Sequence, residues 1–390
     1  DLTFLDIQES QAEKASERIA SLLGYKPKSE SFDILNQKLL VDFLGPYDIF
    51  LSSVPYQFNP YLTDVAIQSK TSMVDLGGHT LNVKKQLLKD SEAKEAGITI
   101  VPDCGMGPGM NVSVAMMGVE SMDSPKEIYV WDGGLPQNPK PPWNYSLFFN
   151  IKGLTNEYDG VAYFIEEGKV SEVSCFEYIE KINFKNIGDL EAAVTSGGLS
   201  TMPWTYEGKL DVLHNKTLRY GGHWSQVKAF RELGLFEEAP IKFKDLDISP
   251  REFYHHLLSP KLEDSDNRDV CLMRVKAIGT DKGKAKTVVI DIQDTYDEET
   301  KFLLEIYLSA NNIWYGVYID DGAGQEIKIG YAHLWHEIAD HYSTYNKPVF
   351  IENVKFYMEI LADGAVETTD TLSKQIFQAD PPYNLLYDLE

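Results

Sequence analysis

Tyr56 in VPYQFN, His79 in VDLGGHT and Asp103 in VPDCGMGPGM each close a short apolar run and open onto a glycine- or proline-rich turn. A phenol, an imidazole and a carboxylate on one rim could each exchange a proton during a redox step at carbon. The glycines beside them let backbone approach a flat ring or a reacting carbon closely, although plain turn chemistry would use the same residues. VPDCGMGPGM also has the strand, glycines and helix of a dinucleotide phosphate loop. Its spacing is wrong, because Gly105, Gly107 and Gly109 give G-x-G-P-G and not G-x-G-x-x-G.

Two more polar, glycine-rich stretches follow, TSGGLST (195–201) and RYGGHW (219–224). Thr195, Ser196 and the backbone N–H groups of Gly197 and Gly198 could bind an anion. Arg219 could clamp a carboxylate, with His223 nearby as a hydrogen-bonding group. A capped turn is the competing reading of each stretch. DGAGQEIKIG (321–330) lacks a third glycine and reads as a hairpin turn. His333, His336, Glu337 and His341 miss the H-E-x-x-H spacing, so no metal site is expected.

The elements that must position these residues alternate in period. TFLDI reads as a strand, and the helix after it places Ala12, Ala15, Ile19 and Leu22 on one face before Gly24 stops it. NQKLLVDFLG, NPYLTDVAIQSK, NVKKQLLKDSEAKEAG and PGMNVSVAMMGVE read as helices, and YDIFLSSVP, SMVDLGG and ITIVPDCG as strands. This repetition predicts an α/β Rossmann-type doubly wound parallel sheet, whose ligands bind at the carboxyl ends of the strands. Asp6 ends TFLDI, in the position of the second strand of such a fold, where an acid accepts from a cofactor ribose about 20 residues after the glycine loop. The first strand and glycine loop are therefore expected to lie before residue 1; a plain helix-flanking Asp is the alternative.

From about residue 125, IYVWDGGLP, YSLFFNIKG, AYFIEEGKV, VCLMRVKAIG, TVVIDIQD, FLLEIYLSA and IWYGVYID are strand-like, with DKGK and DEET as hairpin turns. They predict an α+β substrate domain with a mixed or antiparallel sheet. KIGYAHLWHEIADHYSTY returns to helical periodicity, and QADPPYNLLYDLE reads as a surface tail. The expected domains are 1–123 (dinucleotide-binding, N-terminally incomplete), 124–325 (substrate and dimerisation) and 326–390 (a helical segment packing back on the first).

The 390 residues are 43% hydrophobic and 12% aromatic, which suits folded domains with real cores. A net charge of −24 argues against a nucleic-acid partner, which demands a basic face. Three widely spaced cysteines read as reduced thiols. No apolar run approaches the roughly 20 residues of a membrane span, so no membrane association and a cytoplasmic location are expected. A homodimer or higher homo-oligomer is expected.

With these residues assembled, the chain resembles the saccharopine dehydrogenase family, and within it the NAD-dependent lysine 6-dehydrogenase branch. YQFNPYLTDVAIQSKTSMVDLGGHT, ITIVPDCGMGPGMNV and TSGGLSTMPWTYEGKLDVLHNKTLRYGGHW carry the resemblance, over roughly residues 1–280. It implies hydride transfer from an amine-bearing carbon to NAD, with NADP possible, and an amino acid or polyamine as substrate. Tyr56, His79 and Asp103 are the expected catalytic residues. Asp6, Ser53, Val54, Pro55, Gly77, Gly78, Pro102 and Cys104 would line the cofactor, and Thr195, Ser196, Gly197, Gly198, Arg219 and His223 the substrate. The family's rim loop carries an aspartate where this chain has Gly107, and residues from about 300 onward match the family poorly. A saccharopine or carboxynorspermidine dehydrogenase-type reductase and a non-catalytic metabolite-binding paralogue are the other readings.

Overall fold

The computed structural model describes residues 2–264, 267–296, 314–320, 326–333 and 355–362. The chain divides into two units, residues 1–75 with 84–102 and residues 76–83 with 103–390.

The first unit contains β1 (Thr3–Asp6), α1 (Glu9–Leu23), β2 (Lys28–Ser31), α2 (Gln37–Leu44), β3 (Ile49–Ser52), a 3-10 turn (Tyr56–Phe58), α3 (Asn59–Ser69) and β4 (Ser72–Asp75). After α4 (Thr80–Leu87), which crosses the boundary, come α5 (Asp90–Ala96) and β5 (Ile100–Val101). β1 and β2 pair in parallel, and β3, β4 and β5 form a second parallel sheet. Local chemistry sets the helix ends. Gly24 takes φ 71 and returns its N–H to Ala20 O, and the Asn36 side chain accepts from Leu39 N. Leu40 and Leu44 of α2 bury against Leu62, Val65 and Ala66 of α3 and Met73 of β4. Each such leucine contributes about 1.5–3 kcal/mol.

The second unit contains α6 (Met110–Glu120), β6 (Ser124–Pro136), α7 (Ile151–Glu157), β7 (Val161–Glu166), β8 (Lys169–Ser174), β9 (Glu180–Phe184), β10 (Gly188–Ala193), α8 (Met202–Tyr206), β11 (Val212–Tyr220) and α9 (His223–Glu232). It continues with β12 (Ile241–Phe243), β13 (Leu246–Ile248), α10 (Pro250–Leu262), β14 (Asp269–Asp281), β15 (Lys284–Thr295), β16 (Trp314–Asp320), β17 (Glu326–His333) and β18 (Lys355–Ala362). The main sheet runs β18-β15-β14-β6-β11-β10-β9, with β7 paired to β11 and β8 to β7. It is mixed, because β6 and β11 run parallel while the other pairs are antiparallel. Val114, Ala115 and Val119 of α6 pack on Ile128, Val130, Met273, Val275 and Ala277 on one face. Leu135, Leu190, Leu218 and Leu272 form a separate core cluster.

The parallel and mixed sheets expected from sequence are present, and the two-residue DKGK turn joins β14 to β15 with Lys282 and Gly283 both at positive φ. Several details differ. Residues 103–123 group with the second unit, not the first, because α6 buries its apolar face on β6 and β14. NVKKQLLKDSEAKEAG splits into α4 and α5. The strand expected over YSLFFNIKG is instead irregular chain leading into α7, whose first turn is capped by the Asn150 side chain accepting from Lys152 N. The helix expected from residue 328 is strand β17 as far as His333, antiparallel to β16. His336, Glu337, His341, FLLEIYLSA, DEET and the terminal tail lie outside the described residues.

Candidate functional site

In the second unit three loops converge. Gly77 and Gly78 turn at φ 68 and 103 directly after β4, and the buried Asp103 carboxylate fills the space a Cβ on Gly77 would need. Gly78 N–H donates to Asp103 Oδ1 at 3.3 Å. Gly78 O accepts from Asn156 Nδ2 at 3.0 Å, at the end of α7. Asn156 O in turn accepts from Ser196 Oγ at 2.7 Å, while Ser196 N donates to Glu157 O. Thr195, buried two residues past β10, shares a 2.6 Å hydrogen bond with Thr217 of β11. Backbone and hydroxyl groups therefore stitch the 77–78 turn, α7 and the 195–198 loop together. Thr80, Tyr163, Phe164, Gly197, Gly198 and Ser200 line a shallow depression beside them.

Beneath this lies a pair of strand residues. Asp132 of β6 is 5% exposed, and its Oδ1 accepts from the Asn215 amide of β11 at 2.5 Å. Each member stands under a glycine of a different loop. A Cβ on Gly107 would come within 2.1 Å of Asp132 Oδ2, and one on Gly198 within 1.9 Å of Asn215 Oδ1. Asn111, at the start of α6, completes the platform by donating to Gly198 O at 2.8 Å. Burial pushes Asp132 up to about 7, against the Asn215 hydrogen bond; Glu157 adds to the rise and Arg219 opposes it.

Arg219 sits differently from its expected role. It is 2% exposed, and Nε donates to Tyr158 Oη at 2.8 Å, Nη1 to Leu218 O at 2.8 Å and Nη2 to Glu157 Oε2 at 3.3 Å. The rings of Tyr145, Tyr158 and Trp224 surround it at 4.9–5.8 Å. This guanidinium is committed inside the fold, and the carboxylate clamp expected of it is not what its geometry provides. His223 belongs to the same cage, with Nε2 at 3.0 Å from Tyr158 Oη. Burial, reinforced by Arg219, drives His223 down to about 3, so it stands neutral near pH 7.

The remaining expected residues lie as follows. His79 and Cys104 are half-buried in the second unit, His79 directly after the glycine turn. Tyr56 is half-buried at the start of the 3-10 turn of the first unit. Ser53 and Pro55 are exposed, and Val54 and Pro102 half-buried, each just past the carboxyl end of a parallel strand. Asp6 ends β1, with its Oδ1 accepting from Gln8 N at 2.8 Å. Among the described residues no three His, Cys, Asp or Glu side chains are grouped to hold a metal, and no helix is long and apolar enough to cross a membrane. Sequence reasoning missed Asp132, Asn215, Asn156 and Asn111. For Asp132 and Asn215 the available signal was a polar residue on a strand otherwise reading as core; Asn111 and Asn156 lie on helices α6 and α7, where an asparagine gives no such signal.

A parallel α/β unit of Rossmann type and an α+β unit with a mixed sheet under glycine loops define the class. The chain belongs to the saccharopine dehydrogenase family, since the model of the saccharopine dehydrogenase C-terminal domain matches residues 105–314. It is 25% identical over 223 residues to the NADP+-dependent, L-glutamate-forming saccharopine dehydrogenase of Pyricularia oryzae, covering 54% of this chain and 49% of the relative. It is 24% identical over 233 residues to the mitochondrial alpha-aminoadipic semialdehyde synthase of Bos taurus, covering 55% of this chain and 24% of that protein. The chain thus aligns with at most about half the length of these curated relatives. The fold matches the apo L-glutamate-forming saccharopine dehydrogenase of Saccharomyces cerevisiae with a TM-score of 0.59 at 18% identity, over 77% of this chain and 81% of that one.

Proposed function

We propose that this chain serves an NAD(P)-dependent oxidoreductase acting on the amine of an amino acid, with lysine 6-dehydrogenase-type oxidative deamination as the leading form. The observation that carries the reading is the match of residues 105–314 to the saccharopine dehydrogenase C-terminal domain, which includes the 105–109 and 195–198 glycine loops and Asp132. The residues present suit a dinucleotide. Asp6 offers a carboxylate at a parallel strand end, where ribose hydroxyls donate. The exposed Ser53 and Pro55 leave the carboxyl end of β3 open to a flat ring. A bound nicotinamide would supply the hydride acceptor. The chain's own residues would orient the amine-bearing carbon and hold protons.

A saccharopine dehydrogenase-type reductase is the second reading, favoured by the names of the relatives. The Arg219 cage weighs against it, because a substrate rich in carboxylates needs cations that this arginine does not offer. The test is amine-dependent reduction of NAD+ and NADP+, comparing L-lysine with saccharopine. Reduction of the nicotinamide by lysine supports the leading form. Turnover of saccharopine alone selects the second, and none with either overturns both.

A further inference from the structure

Among the described residues, the Asp132 carboxylate has one hydrogen-bond donor, the Asn215 amide. Its register neighbours are Thr217 on β11 and Met273 on β14, and neither is charged. The charged groups acting on it are Glu157 of α7 and Arg219 of β11. Arg219 directs its guanidinium to Tyr158, Leu218 O and Glu157. The carboxylate is therefore buried with no cation bound to it, an arrangement that is unfavourable for the ionised form.

What covers it is informative. Gly107 is an exposed residue, and a side chain there would stand 2.1 Å from Asp132 Oδ2. The carboxylate thus lies directly under the one kind of residue that puts no side chain between it and the surface of the loop. The amide of Asn215 fixes the other oxygen, so Oδ2 is presented in one orientation.

We propose that Asp132 is the ammonium-binding residue of this site, receiving a primary or secondary alkylammonium that approaches beside Gly107. The proposal rests on the reading of the chain as acting on amines and names the group that holds the amine. The exchange is balanced: the neutral carboxyl and an alkylammonium give a carboxylate–ammonium pair and one free proton. Below about pH 7, where burial keeps the carboxyl protonated, binding releases that proton. Above it, the carboxylate is already ionised and binding releases none.

The experiment is calorimetric titration of the full chain with n-butylammonium and with L-lysine, at pH values about one unit on either side of 7, in buffers of differing protonation enthalpy. The expected result is binding with release of up to about one proton on the acid side and little on the alkaline side. D132N, which keeps the shape and loses the charge, should weaken binding roughly tenfold or more and abolish the release. G107A, which keeps the carboxylate and blocks the approach, should weaken binding too. Unchanged binding of both probes by D132N, or wild-type binding without proton release, would overturn the proposal. So would the absence of binding by either probe. Should D132N fail to fold, wild-type proton release read together with G107A decides the matter. Proton-linked lysine binding without nicotinamide reduction would remove the oxidoreductase reading and leave Asp132 in place. Lysine turnover indifferent to D132N would do the reverse.

Discussion

Arg219 and Asp132 bury charges of opposite sign on adjoining strands of one sheet, and they are treated differently. The arginine has a phenol, a carbonyl, a carboxylate and three aromatic faces around it. The aspartate has one amide and a glycine. A buried charge with all its partners in place is part of the architecture. One lacking a counter-charge beneath an exposed loop is a place for something else to bind. The resemblance suggested the arginine as the binding residue, and the structure points to the aspartate. This chain has Gly107 where the family's rim loop carries an aspartate, and the carboxylate of Asp132 on β6 lies directly below that glycine.

The largest effect should follow from breaking the cage. R219A leaves Glu157 without its cation and a void among three rings, and should destabilise the fold by about 3–5 kcal/mol in chemical denaturation. R219K should also lose stability, since an ammonium cannot reproduce the three directed bonds. Intact stability with a raised KM for the amino acid would restore Arg219 as the clamp.

Next is the proton on Asp132. Its folded-state value, raised to about 7, lies above that of an unfolded aspartate near 4. The folded state then binds the proton more tightly, so this group's contribution to stability is full at low pH and is lost as pH rises towards about 7. D132N removes that dependence. The wild-type-to-variant ratio of unfolding constants should change by up to about tenfold per pH unit between about 4 and about 7. A flat ratio would show a carboxylate that is stabilised by other means.

The way the two regions read from sequence explains why the surroundings of these two residues were not foreseen. The DKGK turn, the Gly24 helix stop and the glycines at 77, 78 and 197 act through local backbone geometry, and local residue types reveal them. The burial of Arg219 was not legible because RYGGHW looks like an exposed turn. Its burial comes from Glu157 and Tyr158, about sixty residues earlier. Asp132 was overlooked because IYVWDGGLP reads simply as a strand, and the partner that marks its carboxylate, Asn215 on β11, is about eighty residues away in sequence. β2 was missed for the opposite reason: KSES has no apolar residue, and only pairing with β1 makes it a strand.

Smaller effects sharpen the contrast. G198A should push Asn215 from its place and cost about 1–3 kcal/mol, read as a lowered unfolding midpoint, because the colliding atom belongs to a buried amide. Wild-type stability in G198A would mean that the platform is soft. Asp6 gives the least effect on the fold. D6S should leave stability unchanged and move the NAD+ over NADP+ preference in kcat/KM by roughly tenfold, the worth of about one hydrogen bond to a charged group. An unmoved preference would remove Asp6 from the ribose.

The most direct measurement is the rate of nicotinamide reduction driven by L-lysine, in wild type and in D132N, each shown to be folded by its unfolding midpoint. Wild type should show lysine-dependent reduction, and D132N a KM raised roughly tenfold or more. Reduction that proceeds equally well in D132N would contradict the role of Asp132, and no amine-dependent reduction by folded wild type would contradict the function itself.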